Sequence, residues 1–140
     1  GPEANFWNTI RQNLPRNSYA WRLENRVSAG MPDVYIVWDG YPIWIELKVI
    51  KANKVDLRPQ QVAWHTAHTH AGGLSFILVK QAKEGCLFLF EGREARSVAS
   101  EGAYYAQGPR FEGLDEMFCG LRAVVLGHYA GLCGPAACGP

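Results

Sequence analysis

Hydrophobic positions recur along the chain with two periods, and the switches between them divide it into elements. Residues 5–14 set Phe6, Ile10 and Leu14 at helical spacing, and Pro15 stops the run. Residues 19–25 alternate well enough for a short strand and also fit a helical turn, after which Gly30 breaks the chain. Residues 33–38 and 43–50 are rich in β-branched and aromatic side chains, with Asp39-Gly40 between them, which predicts a β-hairpin. Residues 51–58 form a polar connection, and Pro59 suits the first turn of a helix reaching about Ala71, closed by Gly72-Gly73. Residues 74–80 are a continuous apolar run, as in a buried strand, and Glu84-Gly85 turns the chain into another strand over 86–90. A short helix over 92–100 and an apolar one over 113–126 follow, and the tail from Gly131 carries no pattern of fixed structure. This order predicts an α/β fold with a mixed central sheet flanked by helices.

The hairpin makes a sharper prediction. A two-residue turn at Asp39-Gly40 pairs Trp38 with Tyr41 and sets Asp33 opposite Glu46. Their Cα atoms then lie about 4.5–5.5 Å apart, and Lys48 shares their face by the two-residue period. Val34, Ile36, Ile43, Ile45, Leu47 and Val49 take the opposite, core-facing side; between the charged positions lie Tyr35, Val37, Pro42 and Trp44. Two carboxylates so close repel unless a cation or a proton sits between them, and oxygen-only ligands suit Mg²⁺ or Mn²⁺ rather than zinc. Taken alone, the three residues equally fit an ion pair on a solvent-facing sheet.

Length and charge bound the rest. A chain of 140 residues suits one domain, taken as residues 3–131 with a core over 6–91 and a helical addition over 92–130. A domain of that size buries about two-thirds of its unfolded surface, enough for a core without disulfides. Gly1-Pro2 has the look of a tag-cleavage scar, and no membrane-length apolar run or basic leader is read in the sequence. Cys86, Cys119, Cys133 and Cys138 form no C-x-x-C pair, which points to a reducing, cytoplasmic setting; a disulfide or zinc knuckle between Cys133 and Cys138 is the alternative. The net charge of +1 splits into +4 over residues 1–83 and −3 over 84–140. Among the first 83 residues, ten Lys/Arg face three acids besides Glu24, Asp33 and Glu46, a local excess that draws a polyanion or forms a solvated basic face.

His65 and His68 share a helix face, while His70 sits roughly 200° from His68; with no partner ligand at suitable spacing, all three are expected to be helix-surface histidines, and His128 to be structural. Phe6, Trp7, Trp38, Phe76, Phe88 and Phe90 are expected in the core. Trp44, in phase with Glu46 and Lys48, faces the site side, with Trp64 as its expected packing partner.

Met31-Pro32-Asp33, then Glu46-Leu47-Lys48, resembles the PD-(D/E)XK nuclease superfamily. Gly30-Met31-Pro32-Asp33, Ile45-Glu46-Leu47-Lys48 and the Leu57, Gln61, Trp64 series together resemble its VRR-NUC-type domain, in the small stand-alone form of phages and bacteria, over about Phe6 to Val79. The resemblance implies a restriction-endonuclease-like αβββαβ core and a magnesium-dependent endodeoxyribonuclease. Asp33 and Glu46 would be metal ligands with the Leu47 backbone carbonyl, and Lys48 would position the attacking water and offset phosphate charge. Glu24, in Arg22-Leu23-Glu24-Asn25, matches the upstream acid that supports the metal, and Gln61 the helix glutamine beside the site. Arg22, Arg26, Lys51, Lys54 and Arg58 bracket the site as DNA-contact candidates. The stand-alone members it resembles are Holliday junction resolvases, acting as homodimers on branched DNA, with residues 113–126 as a dimerisation element or as core. A monomeric flap or nicking repair nuclease and an inactive DNA-binding module are the alternatives.

Overall fold

The computed structural model describes residues 1–24 and 28–132, the side chain of Leu132 excepted. In chain order the elements are α1 (Pro2–Gln12), β1 (Ser18–Arg22), β2 (Val34–Trp38), β3 (Tyr41–Ile50), α2 (Pro59–His70), β4 (Ser75–Gln81) and β5 (Leu87–Glu91). A 3-10 turn (Gly92–Glu94), α3 (Ala95–Glu101), β6 (Arg110–Phe111) and α4 (Leu114–Leu132) complete it. The six strands form one mixed sheet in the order β1-β2-β3-β4-β5-β6. Among the described residues only β3 and β4 pair in parallel, and α2 makes the crossover between them. The αβββαβ order and mixed sheet expected from the sequence are therefore those of the fold.

The hairpin has the expected register, Trp38 against Tyr41 through Val34 against Ile45. Asp39 and Gly40 both have positive φ, 51° and 84°, as a two-residue turn matching the strand twist requires. Asp39 tolerates this because Asn17 Nδ2 donates to its carboxylate at 2.6 Å and Arg122 pairs with it. The Asn17 bond and then Arg122 hold that carboxyl below the usual aspartate range.

Strand alternation divides the sheet into two faces. One carries Val34, Ile36, Trp38, Ile43, Ile45, Leu47, Phe76, Leu78, Leu87 and Leu89, buried under α1 (Phe6, Trp7, Ile10) and α4 (Met117, Phe118, Leu121, Val125). The other carries Ile50 at the end of β3 and Ile77, Val79, Phe88 and Phe90 over its β4–β5 half, buried with Val55, Leu57, Ala95, Val98, Ala103 and Ala106. The α4 segment singled out as a possible dimerisation element thus spends its apolar stripe on the core.

Several boundaries differ from the expectation. Helix α1 spans 2–12 rather than 5–14: Pro2, read as part of a scar, sits in the first turn, where its missing N–H costs nothing, and Leu14 packs on the core from outside the helix. Of the ambiguous 19–25 segment, residues through Arg22 belong to strand β1, and Asn25 lies outside the described residues. Helix α4 runs through Gly131 to Leu132, past the point where the tail was expected to lose structure. The pair β6 was not anticipated, being two residues defined only by partners on β5. Cys133 and Cys138 lie outside the described residues. Among the described residues no helix is long and apolar enough to cross a membrane.

Candidate active site

Asp33 stands one residue before β2, where the register carried one step further sets it opposite Glu46. Its carboxylate caps the end of the β2–β3 ladder: Oδ1 accepts the backbone N–H of Leu47 at 2.9 Å. Its own carbonyl accepts from Leu23 N–H at 2.7 Å, extending the β1–β2 pairing by one step. Asp33 is therefore fixed by backbone on both sides. Asp33 is 6% and Glu46 2% exposed, so an ordinary exposed ion pair on a solvent-facing sheet, the bland sequence reading, does not describe them.

Gly30 explains why this stretch opens on glycine. Its φ is +87°, and a Cβ there would lie 2.1 Å from the backbone oxygen of Gln60. Only a residue without a side chain lets the loop before Asp33 press against the first turn of α2. That contact joins the hairpin to the helix that carries Gln61.

Gln61 is 2% exposed, and its Oε1 does two things. It accepts the Arg58 backbone N–H at 2.9 Å, satisfying a donor at the start of α2. It also accepts from Lys48 Nζ at 3.1 Å, holding the ammonium on the Glu46 side of the sheet. Helix start and lysine position are thus set by one side-chain oxygen, and Pro59 in the first turn keeps the helix entry rigid.

The structure brings Asp33, Glu46, Lys48 and Gln61 together where the cover of α2 over the sheet begins. Leu47 joins them through its N–H bond to Asp33. Glu24 is placed differently. It is exposed and lines a cavity of about 370 Å³ at the β1 edge with Trp7, Arg11, Tyr19, Ala20, Trp21 and Arg22. The bonds described at the site run from Leu47 N–H to Asp33 and from Lys48 Nζ to Gln61, and Glu24 takes part in neither.

Of the basic candidates, Lys51, Lys54 and Arg58 are exposed on the β3–α2 connection. That connection is pinned from below by buried Val55 and Leu57, and by Asn53, which donates to Glu101 O at 2.9 Å and accepts from Tyr104 N–H at 2.7 Å. Arg22 lines the β1-edge cavity, while Arg26 lies outside the described residues.

The histidine expectation needs correction at one position. His65 is fully buried, its Nδ1 2.8 Å from Ser75 Oγ on β4, rather than on the helix surface. Burial, with His68 adding a smaller effect, lowers its pKa from 6.5 to about 4. His68 stacks on Trp64 at 4.5 Å between centroids, His70 is exposed, and His128 Nε2 lies 3.1 Å from Gly72 O. Trp64 does meet Trp44, edge to face at 6.0 Å.

Sequence reasoning missed two residues beside the site. Tyr19 and Trp21 alternate along β1 in phase with Val37 and Tyr35, on the Glu46 face, and are 60% and 57% exposed. The alternation of Tyr19, Trp21 and their neighbours was the available signal.

No protein-family profile matches the sequence, and no curated protein matches it. One of the solved structures that match is a Holliday junction resolvase, Hjc, from Archaeoglobus fulgidus. The two are 18% identical over 66% of this chain and 75% of that one, with a TM-score of 0.49.

Proposed function

We propose that this chain is a metal-dependent DNA endonuclease that hydrolyses phosphodiester bonds in branched DNA, with the four-way junction as its leading substrate. One observation carries the reading: Asp33 and Glu46, both buried, oppose each other across the hairpin, and Lys48 is held beside them by Gln61.

The donor set is all oxygen, two carboxylates with the Leu47 carbonyl as a further candidate ligand, and fits Mg²⁺, with Mn²⁺ as substitute. A divalent ion held there would make a bound water acidic and offset charge on the phosphate. The residues of the chain do the positioning. Asp33 cannot swing away without giving up its bond to Leu47 N–H. Gln61 fixes the Lys48 ammonium, so its charge is oriented before substrate arrives and costs little reorganisation in the transition state. Lys51, Lys54 and Arg58, exposed on one anchored loop, supply phosphate contacts. Glu24 would act on the metal through water from the β1 edge.

Symmetric resolution of a junction requires two active sites, hence a homodimer. A monomeric flap nuclease is the second reading, favoured by the open aromatic surface next to the site. The test is a panel of labelled four-way junction, flap, single strand and duplex with Mg²⁺, Mn²⁺ or EDTA. Metal-dependent cutting of branched substrates, abolished by Asp33→Ala, is expected. Cutting of every substrate in EDTA, or by Asp33→Ala at the wild-type rate, would refute the assignment.

A further inference from the structure

Aromatic rings cross the site face of the sheet in a row. Strand pairing sets Trp21 beside Tyr35 and Tyr35 beside Trp44, with 4.9 Å between the last two centroids. Trp44 meets Trp64 on α2 at 6.0 Å, and Trp64 stacks on His68. Tyr19 extends the surface along β1, nearly parallel to Trp21 at 6.4 Å and 19°. Trp21, Tyr35 and Trp44 each precede or follow by two residues the row of Leu23, Asp33 and Glu46. That separation is about 7 Å of strand, on the order of one nucleotide of an extended strand.

The row is open where it leaves α2. Tyr19 and Trp21 expose more than half their surface, whereas Phe88 and Phe90 on β5, along the same face, are buried. Large rings left in water on one contiguous patch mark a binding surface. Around the β1 edge, on the side facing α1, a cavity carries Arg11 and Arg22 against a single carboxylate, Glu24. Ring faces on one side of a strand edge and guanidinium groups around it suit a chain of flat bases joined by phosphates. Duplex bases offer only their edges, so the rings fit bases that are unpaired.

We propose that this face takes the unpaired bases of a single-stranded DNA arm contiguous with the scissile phosphate, Tyr19 and Trp21 stacking on bases while Arg11 and Arg22, around the β1 edge on the α1 side, meet the backbone. The orientation of that arm toward Asp33 and Glu46 rests on the nuclease reading; the base stacking does not. Among branched substrates this favours the flap of the second reading, because the four duplex arms of a four-way junction offer no unpaired bases.

The experiment measures binding of a labelled oligo-dT and of a duplex of equal length in EDTA, where cutting cannot intervene, by anisotropy and by tryptophan quenching. The proteins are wild type, Tyr19→Ala/Trp21→Ala and Trp21→Phe. The double variant should lose about tenfold or more in single-strand affinity, with duplex affinity little changed, and Trp21→Phe should retain most of the wild-type value. Equal single-strand affinity in wild type and double variant overturns the proposal. So does a wild-type dimer that the double variant dissociates with no loss of single-strand binding, because the row is then an interface between copies. Ring-dependent single-strand binding without cutting of any substrate in Mg²⁺ or Mn²⁺ would sink the nuclease reading and support the stacking. Metal-dependent cutting with ring-independent binding would do the reverse.

Discussion

The two halves of one sheet face follow the same alternation and meet different fates. Over β4 and β5, Ile77, Val79, Phe88 and Phe90 are buried with side chains from α3 and the β3–α2 connection. Over β1 and β2, Tyr19, Trp21, Tyr35 and Val37 stand in equivalent alternating positions; Tyr19 and Trp21 keep more than half their surface in water, and Tyr35 and Val37 are only partly buried. The charged residues sit on the border, on β3 and beside it, where Gln61 and Trp64 form the near edge of α2. A border is where a carboxylate is shielded enough for strong electrostatics and still reachable by a ligand. The difference between the halves therefore defines the site as much as the charged residues do.

The largest break in the comparison should come from trimming a ring on each side. Phe90→Ala empties a fully buried position and should cost about 3–5 kcal/mol, seen as a much lower denaturation midpoint. A loss under about 1 kcal/mol would mean the covered half is not packed as described.

Acid should act on the covered half next. The folded-state pKa of His65, about 4, lies below its ordinary 6.5. The unfolded chain thus takes up a proton more readily than the folded one. The associated stability is complete above pH 6.5 and declines as pH falls through the window toward 4, by about 3 kcal/mol at most. Urea midpoints from pH 7 to 4.5 should fall more steeply for wild type than for His65→Gln. Parallel slopes would show that His65 is not buried neutral.

Gln61→Ala works at the border. It removes the acceptor for Arg58 N–H, costing about 1 kcal/mol, and releases Lys48, slowing cleavage about 10- to 100-fold. Loss of stability without slower cutting would reduce Gln61 to a helix cap. The smallest effect belongs to the open half: Trp21→Ala should change stability by no more than about 0.5 kcal/mol, and a larger loss would mean that the ring is packed rather than exposed.

Much of this border was legible in advance. The Asp39-Gly40 turn carries its own geometry, so the register, the shared face of Asp33, Glu46 and Lys48, and the Trp44–Trp64 contact all followed from local rules. The burial of His65 was not legible, because the inward stripe of α2 is Gln61, Trp64, His65 and His68. Those are polar or mixed residues that hydrophobic periodicity does not register. Strand alternation says which residues share a face but not whether a helix covers it, so Tyr19 and Trp21 could not be told from core rings. Strand β6 is made by tertiary pairing alone.

The central claim is tested most directly by the Mg²⁺-dependent cleavage rate of Lys48→Ala beside wild type on a labelled branched substrate, with melting temperatures measured on the same samples. A fall of about a hundredfold to a thousandfold with little change in melting is the expected result. Cleavage at the wild-type rate by Lys48→Ala would contradict the assignment of Asp33, Glu46 and Lys48 as a nuclease site.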